Sequence, residues 1–420
     1  MSVLNKEIIL VIGNGFDIAH GLPTRYKDFL LFVNSMRALM NFDQVAGKDE
    51  GAFYDSLSFL DYKISDKISE NIKAGKNDNE NLLAQLPVWK SLLNNNFWLD
   101  YFEKQSIHGE KWIDFEEEIQ AVIKRIDNAI ENKILLKSIG NPIFDRCNSY
   151  LVARKYSFNI GNIIRMLLED LSKTRRALEL YLSLCINEIK IDDRLTEIAN
   201  LNPTKVISFN YTNTYERVYG KRNALIEYDY LHGKADASRN LENNDIVLGI
   251  DEYYHDDRKD NDLRFVEFKK YYQRQLFNCK RLSDDWAFKI KQDAEYEKKA
   301  RDFLYNDEIE YELINNSPIS DERYNYEDFE KSLRKKVKIF EDNHPKHEIF
   351  IYGHSLGVTD RDILRKLILN ENVNTTIYYH SRKSYADQLK NLIRVIGQNE
   401  FIVRTGGEHP NIRFIQTKTV

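Results

Sequence analysis

The feature that most constrains the fold is a short apolar run near the N-terminus that ends on two glycines. Residues Ile8–Ile12 are apolar without interruption and mostly β-branched, which is typical of a strand buried on both faces of a parallel sheet. Gly13, Asn14 and Gly15 follow at once, and glycine allows both a tight turn and a close approach of a ligand to the backbone. Because backbone amides at the carboxyl end of a strand can bind a phosphate or a ribose, the segment indicates a nucleotide site at a sheet edge.

Two common phosphate-binding motifs do not fit this segment. The dinucleotide fingerprint G-x-G-x-x-G is broken, because Ile18 stands where its third glycine would be. The phosphate loop G-x-x-x-x-G-K needs a lysine followed by a serine or threonine, and the turn lacks both. A tight β-to-α turn that binds no ligand is therefore the alternative interpretation.

Three later strands also end on glycine or polar residues. Buried strands are predicted at Lys205–Phe209, Ile226–Leu231 and His347–Tyr352, and they stop at Asn210, at His232-Gly233 and at Gly353-His354-Ser355. Parallel strands end at the same edge of a sheet, so we expect these ends to share one site. Further strands are predicted at Ile246–Ile250, Thr375–Tyr379 and Ile412–Gln416, the last at the edge of the sheet.

These patterns predict an α/β protein of the Rossmann-like class, with a parallel sheet core and large helical insertions. The core is assigned to residues 1–30, 200–252 and 345–420, and a helical insertion to residues 31–199. A second insertion, 253–344, is highly charged and rich in tyrosine, and we expect it to be a solvated helical segment with a loop at its entrance.

One acidic segment within the first insertion, Trp112–Ile119, permits two interpretations. Asp114 and Glu117 match a capping box, and acids in a first helical turn interact favourably with the helix dipole. Alternatively, Asp114 or Glu116 lines the nucleotide pocket, with Trp112 packing or stacking beside it. The sequence leaves both interpretations open.

Composition excludes several classes of protein. The net charge of −5 gives no general electrostatic reason to expect nucleic acid as the main ligand. Cys147, Cys185 and Cys279 are widely spaced, so a cysteine zinc site is not expected, no metal site is predicted, and a cytoplasmic protein with reduced thiols is favoured. No window approaches 18 apolar residues and no signal peptide is visible, so no membrane association is predicted.

The turn Gly353-His354-Ser355-Leu356-Gly357 also matches the nucleophile elbow G-x-S-x-G of serine hydrolases. Against this interpretation, Val358-Thr359-Asp360 separates the serine from the next helix, which Asp360 is expected to cap. Only 63 residues follow Gly357, and His409 is the candidate partner for Ser355. A hydrolase that uses Ser355 is kept as a further alternative.

Four motifs taken in order resemble the nucleotide-binding core of the sirtuins. The loop Gly13-Asn-Gly-Phe-Asp-Ile-Ala-His-Gly-Leu-Pro-Thr24 is similar to the sirtuin nucleotide loop, and Ser208-Phe-Asn-Tyr-Thr212 stands in the place of the segment with the catalytic asparagine. His232-Gly233 and Gly353-His-Ser-Leu356 match the later histidine-glycine and glycine-serine turns. More closely, these motifs together with Trp112-Ile-Asp-Phe-Glu116, from Ile12 to about Leu364, resemble the AbiH family of bacterial abortive-infection proteins.

This resemblance implies a phage-defence protein with a sirtuin-like core that binds NAD or a related adenine nucleotide and cleaves it, releasing nicotinamide. Asn210 would orient the ribose and water, and His232 would act as base, because an imidazole pKa near 6.5 suits neutral pH. The amides of Gly13 and Gly15 would hold the pyrophosphate, Asp17 a ribose hydroxyl and Ser355 the adenosine end. The full set of expected ligand contacts is Gly13, Asn14, Gly15, Phe16, Asp17, Gly21, Pro23, Thr24, Thr212, Gly353, His354 and Ser355.

Two departures from the sirtuin pattern limit what the resemblance implies. Thr212 stands where an aspartate is usual, and the four-cysteine zinc module is absent, which argues against protein deacetylation. A non-catalytic module that senses a nucleotide or binds a partner is therefore the alternative to an NADase. A phage-derived trigger, a protein partner and a homo-oligomer stay open as partners.

Overall fold

The centre of the protein is a six-stranded parallel sheet. A computed structural model describes residues 6–45, 57–74, 86–108, 114–132, 142–220, 225–254, 257–277, 279, 281–315, 335 and 346–417. The strands are β1 (Ile8–Ile12), β2 (Lys205–Ser208), β3 (Glu227–Tyr230), β4 (His347–Tyr352), β5 (Val373–Tyr379) and β6 (Ile412–Gln416). Their order in the sheet, β3-β2-β1-β4-β5-β6, is that of a doubly wound Rossmann-like fold, which confirms the predicted α/β class.

Helices cover most of the remaining described chain. Those of the first half are α1 (Asn14–Ala19), α2 (Tyr26–Val45), α3 (Tyr62–Ala74), α4 (Leu86–Leu93), α5 (Phe97–His108), α6 (Phe115–Glu131), α7 (Pro142–Ala153) and α8 (Ile160–Tyr181), which continues as a π-helix over Leu182–Ile186. Those of the second half are α9 (Thr196–Ala199), α10 (Thr214–Val218), α11 (Arg258–Asn261), α12 (Lys270–Leu276), α13 (Leu282–Asn315), α14 (Arg361–Ile368), α15 (Arg382–Ile396) and α16 (Gln398–Thr405). Among the described helices, none has the length and apolar composition needed to cross a bilayer.

The uninterrupted apolar character of β1 follows from its position in the middle of the sheet. Ile9 and Val11 pack into the core on one face, against α13, α14 and α15. Leu10 and Ile12 pack on the other face, where α1 and α10 lie. Since alternate side chains of a strand point to opposite faces, a strand covered on both sides needs apolar residues at every position.

Strand predictions are confirmed for all six strands of the sheet, with ends that differ by at most two residues. β1, β4 and β6 have the predicted bounds, and β6 is an edge strand as expected. The strand predicted at Ile246–Ile250 is wrong, because only an isolated bridge between Ile250 and Lys269 forms there. Ile246, Leu248 and Ile250 are buried in the core of the helical insertion instead, so their apolar character reflects helix packing rather than strand pairing.

The helical segments differ from expectation in two places. The helical spacing of Trp89, Leu92, Leu93 and Phe97 predicts one amphipathic helix from Trp89 to Phe102, but the structure has two. Asn95 has a left-handed φ of 52°, and Asn96 Oδ1 accepts hydrogen bonds from the amides of Trp98 and Leu99 at the start of α5. The prediction of a solvated segment over 253–344 is wrong for residues 265–273, where Phe265, Phe268, Lys269, Lys270 and Gln273 are buried. The predicted segment boundaries stay predictions.

Candidate functional site

The ends of β1, β2 and β4 meet the helical insertion at a cavity of about 210 Å³. β1 lies between β2 and β4, so the chain leaves the middle of the sheet in both directions, and such a switch point opens a crevice at the carboxyl edge. The described residues that line it are Gly13, Asn14, Gly15, Asp17, Thr24, Tyr26, Asp114, Glu116, Leu178, Leu182, Phe209, Asn210, Tyr211, Thr212, His232, Gly353, His354, Ser355 and Asp360. Eleven of the fourteen residues predicted from sequence are among them.

The three predicted residues outside the lining shape the loop around it. Phe16 is fully buried, with its ring 4.5 Å from that of His20 and edge-on to Tyr352. The carbonyl of Pro23 accepts a hydrogen bond of 2.6 Å from the Tyr181 hydroxyl. Gly21 has a φ of +67°, which favours glycine at this turn. The structure therefore gives these three residues contacts within the protein rather than a place on the cavity wall.

The two glycine turns are hydrogen-bonded to each other through the amides of Gly13 and Gly15. Gly13 N donates to Tyr352 O at 3.1 Å, and Gly15 N donates to Gly353 O at 2.8 Å. A Cβ on Gly15 would lie 2.8 Å from Gly353 Cα, so the absence of a side chain serves close packing of the turns. The expected role of the Gly13 and Gly15 amides is therefore wrong, because both are already donating within the protein.

The floor of the cavity is a buried carboxyl group fixed by hydroxyls. Thr212 Oγ1 donates to Asp17 Oδ2 at 2.5 Å and accepts from Thr214 Oγ1 at 3.1 Å. Asp17 Oδ1 is buried and makes no hydrogen bond of standard geometry with the described residues. Burial raises the pKa of Asp17 to about 6, against the opposing effect of the Thr212 hydrogen bond. Asn210 lies beside it and donates Nδ2 to Gly13 O at 3.0 Å, which fixes the orientation of its amide.

Thr212→Val is expected to raise the pKa of Asp17 above 6 and to destabilise the fold at pH 7 by about 1–3 kcal/mol, because a buried carboxylate loses a donor. A carboxyl group whose folded pKa is raised is destabilising when ionised, so the loss should shrink below pH 6, where Asp17 is protonated in both folded proteins. Urea unfolding at pH 4 and pH 7 measures this, and Thr212→Ser, which keeps the hydroxyl, is the control. An equal loss at both pH values would contradict the assignment.

Five charged or titratable side chains form a network on the opposite wall. Asp360 Oδ2 lies 3.3 Å from His354 Nε2, and Asp360 Oδ1 lies 3.5 Å from both His232 Nε2 and Lys270 Nζ. Lys270 Nζ also pairs with Glu116 Oε2 at 2.7 Å and is itself buried. Burial alone would raise the pKa of Asp360, but the Lys270 ammonium, together with the hydrogen bond that His354 donates, outweighs it and holds that pKa well below its usual range.

The structure contradicts the expectation that His232 titrates near neutral pH. Arg274 Nη2 lies 3.0 Å from His232 Nε2, and an arginine can only donate, so Nε2 accepts and the ring proton is on Nδ1. Burial, together with the nearby Lys270 charge, lowers the pKa of His232 to about 3. The argument from a pKa near 6.5 is therefore wrong, because it assumed a solvated imidazole.

Asp114 both caps the helix and lines the cavity, so each interpretation of the acidic helix start is confirmed in part, while the nucleotide stays a prediction. Asp114 is the N-cap of α6, where Oδ1 accepts from the amides of Glu116 at 2.8 Å and Glu117 at 3.3 Å. Asp114 and Glu116 also line the cavity. Burial raises the pKa of Glu116 to about 8, with Lys270 opposing and the charge of Asp114 adding to the rise. Trp112 lies outside the described residues.

Sequence reasoning missed two members of the network, Lys270 and Asp360, and also Arg274, which contacts the network at His232. Lys270 and Arg274 lie in the segment expected to be solvated, and nothing in its polar sequence distinguishes a buried lysine from an exposed one. Asp360 was expected to cap the helix that follows it. It does stand at the N-cap position of α14, but its side chain makes no capping hydrogen bond, because it faces His232, His354 and Lys270 instead.

The turn after β4 does not have the partners of a serine hydrolase. Ser355 is exposed at the rim, and the residue with the strained left-handed φ of 59° is Leu356 rather than the serine. His409 precedes β6, whereas Ser355 follows β4, and all the strands between them are parallel. The two side chains therefore lie at opposite edges of the sheet, which removes His409 as a partner for Ser355.

Comparison with known proteins identifies the family. The sequence matches the family described as "Bacteriophage abortive infection AbiH" over residues 9–380, which is most of the chain and contains every residue that lines the cavity. No match is found among curated proteins or among solved structures. The chain therefore belongs to the AbiH family and has a role in abortive infection of bacteriophage.

Proposed function

We propose that this AbiH protein binds NAD by its nicotinamide ribose half in the cavity and hydrolyses the bond between the ribose and nicotinamide. Four carboxyl groups, those of Asp17, Asp114, Glu116 and Asp360, line the cavity, and no lysine or arginine is among the described lining residues. Lys270 pairs with Glu116 and Asp360 and offsets part of their charge. This charge distribution is the observation that carries the proposal. It favours a ligand that is positively charged where it reacts.

The nicotinamide end of NAD has that charge. Its ring is a cation, and as the ring leaves, positive charge moves onto the ribose. Carboxylates fixed around a developing charge stabilise the transition state more than the ground state, which is how a preorganised site accelerates a reaction. The cavity volume of about 210 Å³ is below the roughly 300–1,000 Å³ of sites for whole drug-sized ligands, and it suits one half of a dinucleotide.

The other half of the ligand is assigned to the rim. Phosphates would be repelled by the acidic wall, and the glycine amides already donate elsewhere, so the pyrophosphate is placed towards the opening. Ser355 is exposed there and can contact the adenosine end. Inside, Asp17 Oδ1 is a buried acceptor suited to a ribose hydroxyl, and Asn210 is suited to orient the ribose and water.

The proposal includes a sirtuin-like core and a cytoplasmic site of action. The order of the sheet strands, together with the order of the motifs at Gly13, Asn210, His232 and Gly353, supports the likeness to sirtuins. A phage-derived trigger, a protein partner and a homo-oligomer remain part of the proposal, since an NADase that is always active would poison its host.

Calorimetry and a cellular assay test this function. We expect NAD and nicotinamide riboside to bind, and ATP, which has no cationic ring, to bind more weakly. In cells challenged with phage, NAD should fall with wild-type protein. Asn210→Ala should slow that loss by about 10²-fold, because the ribose and water lose their placement. Asn370→Ala, altered before β5 at the opposite edge of the sheet, is the control. Absence of binding by NAD and nicotinamide riboside at millimolar concentration would remove the proposal.

One observation favours a second candidate, a nucleotide-sensing module without catalysis. The lone pair of His232 Nε2 is occupied by Arg274, so the histidine expected to act as base is not free to take a proton. Binding of NAD without any loss of NAD during phage challenge would support this candidate over hydrolysis.

A further inference from the structure

We infer that Glu116, a residue of the helical insertion, is the base that takes a proton from the attacking water. This inference rests on the proposed hydrolysis and assigns a residue to its proton transfer. It makes the insertion part of the catalytic site, since Glu116 belongs to α6 and faces the sheet edge across the cavity.

Neither imidazole of the cavity can take the proton. His232 Nε2 accepts a hydrogen bond from Arg274, and its Nδ1 carries the ring proton. His354 Nδ1 accepts from the amide of Leu356 at 2.9 Å, so the ring proton is on Nε2, which faces Asp360 Oδ2 at 3.3 Å. In each ring, therefore, the unprotonated nitrogen already accepts a hydrogen bond.

The other three carboxyl groups that line the cavity already have partners within the protein. Asp360 pairs with the Lys270 ammonium and accepts from His354, which makes it a weak base. Asp17 lies at the floor with 1% exposure and accepts from Thr212. Asp114 accepts the two amides that begin α6, and moving it would uncap the helix.

Among the residues that the structure describes, Glu116 pairs with Lys270 alone, and its side chain is 12% exposed. The titratable and charged groups that face it are Asp114 on its own helix, Lys270 from α12, Asp360 from the turn after β4, Tyr26 from α2 and Tyr211 from the loop after β2. Burial and the neighbouring acids raise the pKa of Glu116 to about 8, against the effect of Lys270. A carboxylate with a pKa near the working pH is a much stronger base than an ordinary one.

The proposed hydrolysis replaces nicotinamide by water at C1′ of the ribose. The bond between C1′ of the ribose and N1 of nicotinamide breaks, and its electron pair goes to N1, so nicotinamide leaves as a neutral molecule. A water oxygen forms the new bond to C1′, and one proton of that water goes to the Glu116 carboxylate. Glu116 then releases the proton to solvent, which gives ADP-ribose, nicotinamide and one proton from NAD and water.

Glu116→Gln and Glu117→Gln are the matched variants for the test. Both change one glutamate of the first turn of α6, and neither removes the Asp114 cap, which uses backbone amides. Glu117 is exposed and does not line the cavity. In phage-challenged cells we expect Glu116→Gln to slow NAD loss by about 10²–10⁴-fold, and Glu117→Gln to lose NAD at the wild-type rate.

A second measurement tests Glu116 through ligand affinity and does not depend on NAD hydrolysis. The affinity of purified protein for nicotinamide riboside, a fixed cation, should rise as the pH rises through about 8, because Glu116 ionises beside it. The affinity of Glu117→Gln should rise with pH in the same way. The affinity of Glu116→Gln should not change with pH, and at pH 6.5 it should lie within a few-fold of the wild-type affinity. At that pH Glu116 is protonated, so the glutamine mimics it.

The outcomes separate this inference from the function on which it rests. If wild-type cells lose NAD and Glu116→Gln cells lose it at the same rate, Glu116 is not the base, while hydrolysis stands. If Glu116→Gln fails to bind nicotinamide riboside at pH 6.5, Glu116 serves binding or structure and the inference is overturned. If wild-type cells never lose NAD, the proposed hydrolysis itself fails, and the base role fails with it.

Discussion

Gly353→Ala is expected to destabilise the protein by more than about 4 kcal/mol, which is in the range of exceptional single substitutions. A Cβ on Gly353 would lie 2.1 Å from Phe16 N and 2.5 Å from Gly15 C, and both are backbone atoms. No change of rotamer relieves such an overlap. The turn after β4 would have to move away from α1, which breaks the hydrogen bond from Gly15 N to Gly353 O. Since whole domains are stable by about 5–15 kcal/mol, poor folding is the expected result.

Gly407→Ala is the control. It separates the effect of the Cβ overlap on stability from the effect of placing an alanine at a positive φ. Gly407 has a φ of +82° and Gly353 a φ of +67°, so an alanine is strained at both, at about 1–2 kcal/mol. A Cβ on Gly407, however, meets nothing within 4 Å. Urea unfolding followed by circular dichroism should show a small shift for Gly407→Ala and a large one for Gly353→Ala. Similar shifts for the two variants would mean that the close packing of Gly353 against Gly15 and Phe16 contributes little to the stability of the fold.

The strands that are easiest to predict from the sequence are those in the middle of the sheet, because both of their faces are buried. Ile8–Ile12 and His347–Tyr352 lie side by side in the middle of a sheet covered on both faces, and their apolar character marks them. Ile246–Ile250 is equally apolar but packs among helices. An apolar run shows that a segment is buried, whereas the partner that buries it depends on the rest of the chain.

The candidate site was predictable where it depends on strand ends and not where it depends on isolated charges. Gly13, Asn210 and Gly353 converge because parallel strands end at one edge. Lys270 and Arg274 come from a polar segment, where neither periodicity nor a motif marks a buried position. The low pKa of His232 is caused first by burial and then by those two cations, so it could not be derived from the sequence either.

Lys270→Met is expected to destabilise the protein by about 3–5 kcal/mol at pH 7, because it leaves the buried Asp360 without its cation. In the wild type the pKa of Asp360 is held below 3.8, so its ionised form stabilises the fold at every pH above that value. Removing the ammonium raises the pKa values of Asp360 and Glu116. Ionised Asp360 then becomes a cost that grows as the pH rises above about 4, and the loss should be smallest in acid. Glu116, with a pKa of about 8, is protonated with or without the lysine below that pH and adds little to the difference.

Lys269→Met provides the matched control for this prediction. Lys269 is as deeply buried as Lys270 and pairs with Glu252 at 2.6 Å, but the Glu252 side chain is 29% exposed and that of Asp360 only 11%. Water can solvate Glu252 once its lysine is gone, whereas Asp360 stays between two imidazoles. Urea unfolding from pH 5 to pH 8 should therefore show a smaller loss for Lys269→Met, with little dependence on pH. If the two methionine variants lose the same stability and neither depends on pH, Lys270 acts through its packing, and the electrostatic account of the network is wrong.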